Sequence, residues 1–532
     1  MSATTPQMSL AFVALLLVCA AMGRHAHAAG LTETGEDLRK DRDSTAEIDG
    51  YLRARGEALY NFDLDRGPTP SGRFFFPLPL ANPSSPWLTH GDLRLRTDFS
   101  IYPEKANLGV HLRVDVLDNL AFGSTPRGTP LTTTSQEPPG FEDAFRIKRA
   151  YGQALTPFGL LAVGRMGADW GLGILANSGD CRDCNSGDAA DRVAFMTPIA
   201  KHIWALAYDL AYRGPTVDRI PDSRTLDLDP SDNVRTVTFA VTRFRRKWVR
   251  DRRREAGRST VDYGAYVSHR WQQNDVPVHY VPTADDVELD PNQVVERRFR
   301  ALAVDGWIRW VHPSFRIEIE AAYLGARIEE PSLIPGVRLD KPITGRQFGA
   351  AFESDFGPAD GPVRAGVDAG FASGDDAPGF GARSQFRGDV PQPGDLDGAQ
   401  ANPPGDIQVN NFRFHPDYRI DRILFHEIIG TVTDAAYFRP HINWLIGRTG
   451  PGAFYASLAT PVSWAVESAS TPGGSSPLGV ELDPSLTYRN ERGFLLAFDY
   501  AVLFPFEGLS NTVENLPAEP AQLFKLTALY QF

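Results

Sequence analysis

The sequence predicts an all-β fold: a transmembrane, antiparallel, up-and-down β-barrel of about 18 strands, with 16 as the alternative count. Three observations carry this expectation. Long segments alternate apolar and charged side chains. The connectors between those segments alternate short and long. The last nine residues keep the alternation up to a terminal Phe532.

The alternation comes first because successive side chains on a strand point to opposite faces. Over 91–102, Leu93, Leu95, Thr97, Phe99 and Ile101 share one face. Asp92, Arg94, Arg96, Asp98 and Ser100 share the other. Val110, Leu112, Val114 and Val116 oppose His111, Arg113 and Asp115 in the next segment. Phe315, Ile317, Ile319 and Ala321 oppose Arg316, Glu318 and Glu320 further on. Strands are expected near 48–62, 91–102, 108–117, 143–155, 159–166, 190–197, 200–212, 233–245 and 259–272. Nine more follow at 297–311, 314–327, 345–356, 361–372, 434–447, 452–467, 478–489, 493–505 and 521–532. A soluble sandwich also alternates. These segments, however, mostly exceed the usual five or six residues and suit a tilted membrane crossing. Aromatics such as Trp204, Tyr208, Tyr212, Tyr263 and Trp271 sit where an interfacial girdle would lie.

The connectors supply the second argument. Those at 103–107, 156–159, 312–313, 357–360, 448–451 and 490–492 are short. Those at 118–142, 167–189, 273–296 and 373–433 are long. Outer-membrane barrels have short periplasmic turns and long external loops. One connector breaks the phase: 243–258 falls on the short-turn side and holds nine Lys or Arg residues against Asp251 and Glu255. Contact with anionic headgroups or the cell wall fits it; a solvated, partly disordered turn is the bland alternative.

Bulk composition agrees. Of 532 residues, 42% are hydrophobic and 23% charged. The mean hydropathy of -0.27 excludes a bundle of transmembrane helices. The apolar stretch Leu10–Met22 followed by Ala26-His27-Ala28 reads as a signal peptide over 1–28, cleaved before Ala29, although no Lys or Arg precedes it. Acylation at Cys19 is disfavoured by the bulky Val18 before it. A periplasmic segment, 29–47, would follow, and the barrel would occupy 48–532. The net charge of -12 argues against nucleic acid as a partner.

The C-terminal Phe524, Leu526, Ala528, Tyr530 and Phe532 share one face. The pattern resembles the terminal signal that the outer-membrane insertion machinery reads, which implies that machinery and outer-membrane lipids as partners. The hairpin Phe145–Tyr151, Thr156-Pro-Phe-Gly159, Leu160–Arg165 resembles one found in many porins. Trp170–Ile174 (WGLGI) and Phe425–Gly430 (FHEIIG) are similar to an uncharacterised family of myxobacterial outer-membrane proteins. They are more distantly similar to 18-stranded exopolysaccharide-export and substrate-specific porins. The resemblance implies location and fold but no substrate.

Candidate site residues follow from face and loop. The inward face should carry Arg53, Arg55, Arg94, Arg96, Asp98, Arg113, Asp115, Arg316, Glu318 and Arg364. Rings of fixed charge select ions in a pore, and the Arg94, Arg96 and Arg113 group points to anionic or sugar-like solutes. Inward Arg–Asp pairs that brace the wall are the alternative. Cys181 and Cys184 remain after export, and a loop disulfide is the expected use. Asp180, Asp183, Asp188 and Asp191 are hard oxygen donors for Ca²⁺, at a spacing that matches no EF-hand. No other cofactor is expected. The Asp-rich loop 373–433 is too long to be idle. It would constrict the lumen, cap the outer mouth or stay disordered, with a short helix over Arg419–Gly430. No nucleophile elbow, zinc-protease motif or P-loop is present, so no enzyme is expected. The expected function is a porin-like channel for passive diffusion of small or medium polar or anionic solutes. The rival is a structural or adhesive barrel binding a partner through its acidic loops. Oligomeric state is not legible.

Overall fold

A computed structural model describes residues 46–103, 107–123, 145–181, 183–214, 216–219, 224–227, 229–276, 291–332, 334–358, 361–381, 391–397, 401, 403 and 405–532. The expected signal peptide and the 29–45 part of the N-terminal segment lie outside the described residues.

The strands are β1 (Ala46–Tyr60), β2 (Trp87–Ile101), β3 (Leu108–Ala121), β4 (Arg146–Thr156), β5 (Gly159–Gly167), β6 (Ala189–Ile199) and β7 (His202–Ala211). Then come β8 (Thr216–Arg219), β9 (Arg224–Asp227), β10 (Val234–Arg243), β11 (Thr260–Gln272), β12 (Phe299–His312), β13 (Phe315–Ile328), β14 (Ile343–Phe356) and β15 (Val363–Ala372). The last are β16 (Ala435–Thr449), β17 (Gly452–Ala459), β18 (Val462–Ala465), β19 (Pro477–Asn490), β20 (Phe494–Pro505) and β21 (Ala521–Gln531). β8 and β9 form a separate hairpin in one long loop, which the sequence reading missed. β17 and β18 are two pieces of one crossing, both paired with β16 and β19. The expected continuous strand 452–467 breaks at Pro461, which has no N–H for the ladder. The result is an 18-strand antiparallel ring, closed where β1 meets β21 from Tyr51↔Gln531 to Tyr60↔Gln522. Closure leaves no edge strand, so the ladder groups of each wall strand pair with a neighbour on both sides.

The burial pattern inverts that of a soluble sheet. On β12, Leu302, Val304, Ile308 and Trp310 are 40–44% exposed on the outside, while Asp305 and Trp307 beside them are buried inside. Arg53, Arg94, Asp115, Asp262 and Glu320 are wholly buried within the ring. Such an exterior is stable against hydrocarbon and unstable against water. The protein is an outer-membrane β-barrel. The C-terminal residues seal it. Leu526 and Tyr530 face outward, Phe524 packs on Tyr500 with ring centroids 5.0 Å apart, and Phe532 exchanges backbone bonds of 3.1 Å with Gly50.

The connector 244–259 is not an open turn. It holds a helix, α1 (Lys247–Glu255), at the short-turn end. The wholly buried Asp262 anchors it: Arg245 donates its backbone N–H at 3.0 Å, and the guanidinium groups of Arg245, Arg250 and Arg309 lie at 3.5, 3.7 and 3.1 Å. Arg252, Arg253 and Arg254 fill its last turn, where the helix dipole favours cations. The helix expected over Arg419–Gly430 is a single π-helical turn, Leu424–Ile428.

Candidate functional site

Two long loops turn into the ring and decide what its interior can do. The first, between β5 and β6, enters through the WGLGI run. Trp170 packs edge-on against Tyr266 of β11 (5.1 Å, 89°), and Ile174 is fully buried. Gly171 and Gly173 take φ of 60° and 85°, which glycine adopts without steric cost. A side chain on Gly171 would also strike Glu320, whose carboxylate accepts the backbone N–H groups of Leu172 and Gly173.

Past that corner, the loop lies on the inner faces of β1 to β4, where the predicted arginines stand. Arg53 and Arg94 donate to the Cys184 carbonyl at 3.1 and 2.7 Å. Arg96 donates to the Gly179 carbonyl at 3.1 Å and forks onto Asp115 at 2.7 and 2.9 Å. Arg55 reaches Asp183 at 3.0 Å and Asp92 at 2.9 Å. Arg113 forks onto Asp98 at 2.6 and 2.9 Å and also holds Asp180, which Arg149 meets at 2.9 Å. These inward positions are therefore buried under a loop. The donors of Arg96 and Arg113, and both terminal nitrogens of Arg94, are engaged by carbonyls and carboxylates, the arrangement that the wall-bracing alternative describes.

The loop's own predicted residues take other parts. Cys181 and Cys184 are joined by a disulfide. Asp183, between them, accepts Lys525 of β21 at 2.7 and 2.8 Å and Arg419 of the second inward loop at 2.8 Å. Burial would push its carboxyl up; Lys525, Arg419 and Arg55 outweigh that and hold it well below the ordinary range. For Asp180, burial is likewise outweighed by Arg113 and Arg149, down to about 2. Asp188 lies 3.6 Å from His415, and Asp191 pairs with Arg165 at 2.8 Å on the outer wall. The four aspartates thus diverge instead of forming the Ca²⁺ cluster expected. Among the described residues no group of three or more metal-binding side chains converges.

The second inward loop joins β15 to β16, so the expectation of a constriction describes the part over 411–432. Phe412, Phe414, Ile423, Leu424 and Ile428 are buried there. His415 donates its backbone N–H to Ile174 of the first loop at 2.8 Å. Asp417 accepts the N–H groups of Asn185 and Ser186 at 2.9 and 3.0 Å. Glu481 of β19 accepts three successive backbone N–H groups, from Arg422, Ile423 and Leu424, at 2.8, 2.9 and 3.2 Å. Sequence reasoning missed Arg149, Asp417, Arg419, Glu481 and Lys525. Inward parity marked Arg149, Glu481 and Lys525; nothing in the sequence paired them with a loop.

What stays open is a cavity of about 760 Å³ at the short-turn side, bounded by both loops and by wall residues from β1 and from β13 to β21. Ten carboxylates line it against Arg316, Arg419, Arg422, Arg439 and Lys525. On the second inward loop, burial raises Asp421 and Glu427. His426 is pushed down to about 3, by burial and then by Arg419. Of the predicted inward charges, Arg316 lines this cavity, together with the predicted loop residues Cys181 and Asp183. Arg316 binds Glu318 at 2.9 Å, Glu353 at 2.9 Å and Asp355 at 3.4 Å; Arg364 meets Asp355 at 3.0 Å. A second cavity, of about 540 Å³, lies toward the long-loop end against β6 to β13, and the first inward loop walls it too.

No family model and no curated protein matches the chain. The resemblance to myxobacterial proteins therefore rests on its short motifs alone. Among solved structures, the chain is similar to the outer membrane protein OpdK of Pseudomonas aeruginosa, at 10% identity and a TM-score of 0.43, over 92% of this chain and 98% of that one. OccAB2 of Acinetobacter baumannii matches at 10% identity and 0.43, over 91% and 98%. A loop-deletion mutant of OmpT of Vibrio cholerae matches at 8% and 0.33, over 92% and 99%.

Proposed function

We propose that the barrel is a passive channel for small polar solutes and that it favours those carrying positive charge. The observation that carries this reading is the sign of the open cavity. Ten carboxylates line it against five Lys or Arg side chains. Fixed charge on a narrow wall concentrates counter-ions and excludes co-ions. Single-channel recording in planar bilayers under a potassium chloride gradient tests it. A reversal potential of cation-selective sign supports the reading, and anion selectivity refutes it. Changing Glu353, Asp355 and Asp368 together to their amides should move the reversal potential toward zero.

One observation favours a second reading. The two inward loops share a buried apolar cluster that includes Ile174 from the first and Phe414, Ile423 and Ile428 from the second. A barrel that conducts no ions in the bilayer would support a structural or adhesive role exerted through the long loops.

A further inference from the structure

On the outer wall, at the long-loop end of β11 to β14, sits a groove of about 520 Å³. Its polar side is formed by Arg300, Arg327 and Arg346, and its apolar floor by Leu302 and Tyr323. The register explains the shape. Arg300 stands directly opposite Arg327, and Leu302 and Arg346 flank Gly325 on either side. Gly325 has no positive φ, so the backbone does not require glycine there. A Cβ would meet nothing closer than the Tyr323 hydroxyl at 3.3 Å. The missing side chain leaves a notch in a wall that is otherwise covered by large apolar groups.

The charges are not balanced within the protein. Arg327 is paired with Glu329 at 2.7 and 3.1 Å. Among the described residues neither Arg300 nor Arg346 has a carboxylate within 4.0 Å, and the single carboxylate of Glu329 serves both Arg327 and, at longer range, Arg300. Like charges directly across a strand pair repel, and an unpaired cation on a lipid-facing wall is costly away from the interface. Both costs vanish if an anion sits between the guanidinium groups. The exposed Leu302 and Tyr323 lie two and four residues along their strands toward the middle of the wall, where an acyl chain would run. Gln408 and Asn410 of the long loop border the groove with further hydrogen-bonding groups.

We infer that this groove binds a phosphorylated lipid of the outer leaflet, with its phosphate between Arg300, Arg327 and Arg346 and its acyl chain against Leu302, Tyr323 and the Gly325 notch. Guanidinium forks match phosphate geometry, and the apolar floor selects a lipid over a free anion.

The test uses the full-length protein in neutral detergent micelles, titrated with dioctanoyl phosphatidic acid and, separately, with dioctanoyl phosphatidylcholine. Retained lipid is counted by native mass spectrometry. The expected result is at least tenfold tighter retention of phosphatidic acid. The double variant Arg300→Gln/Arg346→Gln should erase that preference. Gly325→Ile keeps every charge and fills the notch, so it should weaken retention of both lipids severalfold. It also keeps the test decisive if the double variant does not fold, as judged by heat-modifiable gel migration. Equal retention of the two lipids by the wild type, or retention unchanged in the variants that fold, would overturn the inference. Displacement of phosphatidic acid by millimolar inorganic phosphate would overturn it as well, since the groove would then be a simple anion site.

Discussion

Replacing Asp183 with Asn should unfasten the first inward loop without disturbing the barrel. Asp183 is held by three cations: Lys525 at 2.7 Å, Arg419 at 2.8 Å and Arg55 at 3.0 Å. A hydrogen bond to a charged group contributes about 1.5–3 kcal/mol, roughly twice a neutral one. Asparagine keeps one acceptor oxygen and loses the charge, so about half of each contact goes, or about 2–4 kcal/mol for three. The Asp183 side chain is 42% exposed to lumen water, which screens it and brings the figure to about 2 kcal/mol. At about 1.4 kcal/mol per decade, that is a roughly 30-fold rise in the population of the displaced loop. Hydrogen exchange reads such local opening directly. Amides in 177–188 should exchange about 30-fold faster in Asp183→Asn, while amides of β12 and β13 stay unchanged. Exchange within about threefold of wild type throughout 177–188 would refute the assignment of Asp183 as the tether.

Three further outcomes are expected. Acidification should release the same loop. Asp180, lowered from 3.8 to about 2, contributes stability that is fully present above pH 3.8 and lost as pH falls through about 2. By linkage that is about 2 kcal/mol, visible as a fall in the protection of 177–188, relative to unprotected amides at the same pH, between pH 4 and pH 2. Glu481→Ala should strip the acceptor from three backbone N–H groups and free the Leu424–Ile428 turn at a cost of about 3 kcal/mol, some of it recovered by lumen water. Single-channel conductance should rise, with heat-modifiable migration unchanged. Asp262→Ala should leave Arg245, Arg250 and Arg309 facing one another around a buried gap, costing about 3 kcal/mol. Limited trypsin digestion should then cut within 245–258 at least tenfold faster than in the wild type.

The strands were legible because parity is a local property. A charged residue two places from another on an apolar-backed segment points the same way whatever the rest of the chain does. Every expected strand therefore found its counterpart. Errors fell at the ends, as at β2, which begins at Trp87 and not at 91, and at Pro461, where a missing N–H split one strand in two. The helix α1 was hidden because its apolar content is too low to mark a face. Its partner, Asp262, belongs to the next strand and gave no local sign of that role.

The interior was legible only in part, for a related reason. Parity says that Arg94 points inward; it does not say whether water or another segment waits there. Cys184 lies 90 positions away, and its carbonyl is an acceptor that no sequence pattern advertises. One signal was available and went unused. Asp180 and Asp183 form an acidic loop, while Arg53, Arg55, Arg94, Arg96, Arg113 and Arg149 make the inner faces of β1 to β4 basic. Read together, complementary charge on a loop and a wall argues for docking before it argues for a selectivity filter. Lys525 was obscured differently, since it stands between Phe524 and Leu526, two residues of the terminal pattern whose outward face drew the attention.

The sign of a lumen is set by the charges left after its own loops are satisfied, not by the charges its strands carry. Here the arginines of β1 to β4 are held by Asp180, Asp183 and a row of loop carbonyls, and the open cavity is lined by ten carboxylates against five Lys or Arg side chains. Loosening the loop should therefore change selectivity as well as mobility. In Asp183→Asn, displacement of the loop uncovers Arg53, Arg55 and Arg94, and the substitution itself removes one lumen carboxylate. Both changes add positive potential to the passage. The reversal potential of that variant should accordingly shift toward zero relative to the wild type in the same salt gradient. A shift toward stronger cation selectivity would refute this reasoning, since neither change adds negative potential to the passage.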